Sequence, residues 1–145
     1  MECASADPAI PSATSVRRWV RAALGEEHAA AELCVRIVDE AEMRELNARY
    51  RHKDYATNVL SFPAELPTGV DLPLLGDIVV CAPVVNREAA AQHKAPRAHW
   101  AHMLVHGTLH LLGHDHERPR EAARMEALEK RLLAGLKFPD PYQEQ

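Results

Sequence analysis

The chain is predicted to fold as α+β, a small mixed β-sheet packed with about five helices. Three observations predict it. Glu32 to Val38 alternates, with Leu33, Val35 and Ile37 on one face, as a half-buried strand does. Gly76 to Cys81 is apolar on both faces, as a central strand is. Around these lie stretches with apolar residues at helical spacing, in the order helix, strand, helix, strand, strand, then three helices.

The elements follow in order. Residues 1–11 are expected to be a flexible tail, because Pro8 and Pro11 interrupt regular structure. Ser12 to Leu24 reads as a helix. Val16, Trp19, Val20 and Ala23 recur on one side, Arg17, Arg18 and Arg21 take the other, and Gly25 ends it. After the first strand, Asp39 can cap a helix from Glu40 to about Tyr50, with Met43 and Leu46 on its apolar side. A polar turn from Arg51 to Asp54 leads to a second strand, Thr57 to Phe62. Pro63, Pro67, Gly69 and Pro73 then mark a long loop, a kind of segment often functional in small domains.

Past the central strand, Pro83 suits the first turn of a helix to about Lys94, and Pro96 opens one from Arg97 to Leu112. Pro119 opens the last, to about Leu133, with Met125, Leu128 and Leu132 as its stripe and Gly135 as its end. The tail Phe138 to Tyr142 is short. At 145 residues the chain is long enough for one domain with a core of its own.

Composition excludes some functions and leaves others open. Hydrophobic residues make up 47% and charged residues 26%, which suits a globular protein. A net charge of −4 argues against a protein coated in positive charge, but leaves room for nucleic-acid binding through a local basic patch. Cys3, Cys34 and Cys81 are far apart and form no CxxC pair, so two buried thiols and one in the tail are expected, all reduced. The acidic start carries no secretory signal and no apolar run approaches ~18 residues. No membrane contact is expected, and a cytoplasmic location follows.

The most informative stretch is His106-Gly-Thr-Leu-His110-Leu-Leu-Gly113-His114-Asp115-His116. His106 and His110 are one helical turn apart, so their rings project from one face. Gly113 can take positive φ, end the helix and let the chain bring His116 back toward them. Nine histidines make one HxxxH pair cheap, but a third His at i+10 with Gly at i+7 is expected by chance roughly once in a thousand. Three imidazoles with a fourth position left for water describe a catalytic zinc site, on a central helix and the loop after it. One zinc ion is expected, on His106, His110 and His116, where it would lower the pKa of a water to ~7.

His99 and His102 share the helix face upstream. They are expected behind the metal or facing substrate, with His102 the better candidate for substrate contact. His114 is read as a neighbour of the site and Asp115 as a carboxylate that could orient a ligand imidazole.

HxxxHxxGxxH is also the spacing of metzincin peptidases. These place a glutamate after the first histidine as general base, where this chain has Gly107. A metallopeptidase or another zinc hydrolase is therefore the alternative. Arg49, Arg51, His52 and Lys53 form a second cluster in which an arginine could clamp a phosphate beside the metal, which would suit phosphodiester cleavage. Glu65 and Asp77 are the candidate general bases.

Taken together these segments resemble the YbeY family of bacterial endoribonucleases, or ribosomal RNA maturation factors. The resemblance runs from about Glu32 to Tyr142. It rests on Leu46-Asn-Ala-Arg-Tyr-Arg51, Asp54-Tyr-Ala-Thr-Asn-Val-Leu-Ser-Phe-Pro63, Leu75-Gly-Asp-Ile-Val-Val-Cys81, the histidine segment from His99 to His116, and Asp140-Pro-Tyr142. It implies one metal, usually zinc, on His106, His110 and His116, and a role in activity for Arg51. It also implies single-stranded RNA as substrate, cleaved in maturation of the small-subunit (16S) ribosomal RNA and in ribosome quality control. Ribosomal RNA and proteins of the small subunit are the implied partners, and no DNA is expected. Many members have glycine where this chain has His52. A non-catalytic ribosome assembly factor with a structural metal is the remaining alternative.

Overall fold

A computed structural model describes residues 1–67, 69, 73–114 and 117–143. Its sheet has four strands, β1 (Glu2–Cys3), β2 (Glu32–Val38), β3 (Val59–Pro63) and β4 (Leu74–Cys81), in the order β1-β2-β4-β3. β1 and β4 flank β2 in parallel, and β3 runs antiparallel to β4, so the sheet is mixed. Among the described residues five α-helices accompany it: α1 (Ala13–Leu24), α2 (Glu40–Arg51), α3 (Ala82–Ala91), α4 (Pro96–Leu111) and α5 (Pro119–Gly135).

Packing follows from the alternation of the strands. Ile78 and Val80 of β4, with Val35 and Ile37 of β2, face a large core completed by Trp19 of α1 and Trp100, Leu104 and Leu109 of α4. Val79 and Cys81 turn the other way and pack with Val38, Leu60 and Met43 of α2. β4 is thus buried on both faces, as its unbroken apolar run predicts. α4 buries residues all around its circumference and is the central helix.

Two glycines set close approaches. Gly76 has φ 146°, and a Cβ there would lie 2.1 Å from the carbonyl oxygen of Phe62. At Gly107 a Cβ would lie 3.1 Å from Ile78 Cγ2 and 3.2 Å from Ser61 Oγ, so α4 crosses the sheet at that point.

Three expectations differ from the structure. The segment expected to fray is held by pairing of Glu2 and Cys3 with Arg36 and Ile37. The Asp39 carboxylate takes a hydrogen bond from the Ser5 hydroxyl and another, at 3.0 Å, from the Ala6 N–H. Two-residue strands carry no periodicity, which is why this one was not legible. Cys34 is exposed rather than buried, because the alternation that turns Val35 inward turns Cys34 outward. Asp39 stands at the N-cap of α2, but its side chain makes no capping bond, being engaged by Ser5 and Ala6. Part of the long loop, residues 68 and 70–72, lies outside the described residues.

Candidate metal centre

α4 carries four histidines on one side, and the structure divides them. His106 and His110 are half-buried and line an open cleft, with Nε2 of one 3.1 Å from Nε2 of the other. Two imidazole nitrogens on one tetrahedral zinc, each at about 2.05 Å, stand ~3.3 Å apart. The pair therefore fits a shared metal.

The helix ends just beyond them. Gly113, at φ 100°, donates its N–H to the His110 carbonyl at 3.0 Å, and His114 donates to the Leu109 carbonyl at 3.1 Å. These two bonds close the helix in a Schellman turn, with glycine at the left-handed position. The chain leaves α4 there, as the spacing predicts. Asp115 and His116 lie outside the described residues.

The cleft has a volume of about 680 Å3. Its other wall is the end of α2 and the segment into β3: Arg51, Lys53, Tyr55, Thr57, Asn58 and Ser61 all line it. Of the basic cluster, Arg51 and Lys53 line the cleft, whereas Arg49 and His52 do not. The Arg51 guanidinium donates from Nη2 to the Ser61 carbonyl at 3.1 Å, and the Ser61 hydroxyl donates to the Gly107 carbonyl at 3.0 Å. β3 thus ties the arginine to the histidine helix. His52, where glycine is expected from the resemblance, has φ 58° and caps α2 in the left-handed conformation that glycine adopts without strain. His114 also lines the cleft.

Behind His106 is a buried polar group. His102 is 7% exposed and Glu129 of α5 is 1% exposed. Glu129 Oε2 accepts from His102 Nε2 at 2.7 Å and from His106 Nδ1 at 3.1 Å, and its Oε1 accepts from the Tyr142 hydroxyl at 2.8 Å. Burial pushes the Glu129 carboxyl up, but the hydrogen bonds from His102 and His106 and, when those rings are protonated, their charge outweigh it and hold its pKa at about 2. Burial and the adjacent Glu129 carboxylate together raise the Tyr142 phenol well above its usual value. Further up the helix, His99 is bound to Glu88 through Nε2 at 3.0 Å.

His102, His106 and Glu129 bring one ligand-type atom each within 4.8 Å of one another, a group that could hold a metal ion. This group and the His106/His110 pair share one imidazole. Nδ1 of His106 faces Glu129 and Nε2 faces His110. The inner group is mostly buried, with only His106 reaching the cleft, whereas both members of the pair open on it. Only the second leaves room for a substrate beside the ion.

Three predicted roles find no support in these positions. His102, a candidate for substrate contact, is turned inward to Glu129 and does not line the cleft. Glu65 and Asp77, the candidate bases, line a separate groove beside α2 with Arg36, Leu46 and Val79. The position that carries the metzincin glutamate, Gly107 here, packs on Ile78 and Ser61 rather than facing the histidines. Glu129 was not foreseen. It sits in a charge-rich helix, and its signal is its place at i+4 from Met125 and i−4 from Leu133, on the buried stripe.

The family model for endoribonuclease YbeY matches residues 4–137. A protein from Pseudomonas entomophila named endoribonuclease YbeY is 60% identical over 137 residues, covering 94% of this chain and 87% of that protein. One of the same name from Stutzerimonas stutzeri is 57% identical over 145 residues, covering 99% of this chain and 90% of its own length. A solution structure of a Thermotoga maritima protein superposes with a TM-score of 0.60 at 22% identity, over 98% of both chains, which shows a shared fold. The histidine helix, its glycine stop and the arginine-lined cleft are thus found in a chain that belongs to the endoribonuclease YbeY family.

Proposed function

We propose that this chain, a single domain, is a zinc-dependent endoribonuclease that cuts single-stranded RNA. It would act in maturation of the small-subunit (16S) ribosomal RNA and in ribosome quality control, with ribosomal RNA and small-subunit proteins as partners in the cytoplasm. The observation that carries the reading is the cleft, which joins His106 and His110 on one wall to Arg51 and Lys53 on the other. Family membership and the names of the relatives support the reaction class.

His106 and His110 would hold the ion through Nε2, with His116 as third ligand. When bound, zinc supplies a Lewis acid for the phosphodiester and acidifies water. The chain does the rest. Arg51 presents a guanidinium whose free donors match two phosphate oxygens, and its bond to the Ser61 carbonyl holds it toward the cleft. Lys53 adds a second positive charge against the backbone of the RNA. The cleft has room for a strand of RNA beside the two histidines.

Zinc-loaded protein is expected to cut a single-stranded RNA and to spare a duplex of the same sequence. His110→Ala should lose both zinc and cleavage. Undiminished cleavage by metal-free protein would sink the reading. Product ends then separate two routes, since attack by the ribose 2′-hydroxyl leaves a cyclic phosphate and attack by water does not. Comparing 16S ribosomal RNA ends in cells carrying the parent or the His110→Ala protein tests the physiological substrate.

A further inference from the structure

We infer that Glu129 and Tyr142 are positioning residues for the metal centre, holding His106 as the tautomer whose Nε2 lone pair faces the cleft. The inference rests on the reading of His106 and His110 as metal ligands.

A carboxylate on a buried helix stripe is costly unless it is fully bonded. Glu129 lies between Met125 and Leu133, each 1% exposed, and is itself 1% exposed. Three donors converge on its two oxygens: His102 and His106 on Oε2, and the Tyr142 hydroxyl on Oε1. The carboxylate is thereby fixed in position and charge.

For His106 the consequence is specific. A neutral imidazole carries one proton, on either nitrogen. A carboxylate facing Nδ1 at 3.1 Å keeps the proton there and leaves the lone pair on Nε2, 3.1 Å from Nε2 of His110. Removing that acceptor takes away the contact that keeps the proton on Nδ1. The same contact raises the basicity of the ligand nitrogen.

Tyr142 extends the arrangement to the segment after α5. Its hydroxyl donates to Glu129, and its ring meets the edge of His102 with centroids 5.3 Å apart. The segment has anchors of its own. The Tyr142 N–H donates to Asp140 Oδ1 at 2.9 Å, and Lys94 Nζ donates to the Pro141 carbonyl at 2.5 Å. The Asp140-Pro-Tyr142 turn thus does more than cover a helix end: it holds the carboxylate that holds the ligand.

The test uses the full chain with Glu129→Gln and Tyr142→Phe, both close in shape to the parent. Zinc affinity is measured by competition with a chromophoric chelator, and the proton on His106 is located in metal-free protein by two-bond 1H–15N correlation. Glu129→Gln should bind zinc 10- to 100-fold more weakly and show His106 as a mixture of tautomers. Tyr142→Phe should move both readings the same way by less. A merely structural role would lower the melting temperature and leave the tautomer unchanged. Should Glu129→Gln not fold, Tyr142→Phe carries the test alone.

Parent-like zinc affinity and an unchanged His106 tautomer in the folded variants would overturn the inference. So would His110→Ala that keeps its zinc while Glu129→Gln loses it, because Glu129 would then be a ligand. RNA cleavage is a separate readout. Zinc-loaded parent that fails to cut RNA removes the functional reading and leaves this one standing.

Discussion

Two pairs of histidines on one helix have two different fates. His106 and His110 open on a cleft and meet each other through Nε2. His99 and His102, two turns and one turn upstream of His106, are buried and each gives its Nε2 to a carboxylate, Glu88 or Glu129. All four project within an arc of ~80° at 100° per residue. Helical phase therefore says which residues share a side, and nothing about which of them meets solvent. That is decided by what packs against each turn. α5 and the Tyr142 segment cover the upstream turns, while the loop into β3 leaves the downstream ones open.

The largest effect should separate the pairs outright. His110→Ala is expected to reduce zinc affinity by 100-fold or more, on the order of 3 kcal/mol, while metal-free stability stays within about 0.5 kcal/mol of the parent. Chelator competition and denaturant melts read the two. Retained zinc in this variant would erase the distinction between front and back.

Next, Arg51→Ala should lower cleavage by about 10- to 100-fold, the worth of a hydrogen bond to a charged group, with zinc affinity unchanged. Equal loss of zinc would place the arginine with the ligands and not with the substrate. The back pair should behave in the opposite sense. His102→Ala removes one of three donors to a buried carboxylate and is expected to cost about 2 kcal/mol in metal-free protein, read by urea denaturation. No loss of stability would mean that burial of His102 is incidental.

Acid should expose the same network. Glu129 is held at about 2 against an ordinary value of 4.5, so the folded form binds its proton more weakly than the unfolded chain does. Its contribution is complete above pH 4.5 and is lost as pH falls toward about 2. Metal-free parent should lose stability over that window, and Glu129→Gln should show a flatter acid limb. The smallest effect belongs to the turn beside the cleft. His52→Gly relieves a left-handed residue but loosens the unfolded chain, for a net gain of about 0.5 kcal/mol, measured by thermal melts.

Much of the scaffold was legible because its signals are local. The alternation in β2, the two-faced apolar run of β4 and the prolines at α3, α4 and α5 each act within a few residues, and the helices fall within a few residues of their expected bounds. What was missed depends on contacts distant in sequence. β1 exists through pairing with residues 34 positions away, which two residues cannot announce. Glu129 reads as one more charge in Glu126-Ala-Leu-Glu129-Lys130, until the stripe of Met125 and Leu133 is seen to include it. Asp115 lies outside the described residues, and the carboxylate that meets His106 Nδ1 comes from Glu129, 23 residues away in sequence. The cleft was half legible. The basic turn and the histidine helix each stood out, but their meeting across β3 required the fold.

That meeting is governed by backbone. At Gly107 the backbone of the histidine helix rests directly on the side chains of Ile78 of β4 and Ser61 of β3, and Ser61 fastens the crossing through its hydroxyl. The histidine wall of the cleft is therefore seated against β3 and β4 by one close contact. A methyl group at 107 would lie 3.1 Å from Ile78 Cγ2 and 3.2 Å from Ser61 Oγ, so those side chains, or the helix with its two histidines, would have to give by a few tenths of an ångström. Reactions that need aligned partners lose on the order of 100-fold for a misplacement of about 1 Å. The hydrogen atom that serves as the side chain of Gly107 thus sets the gauge of the cleft.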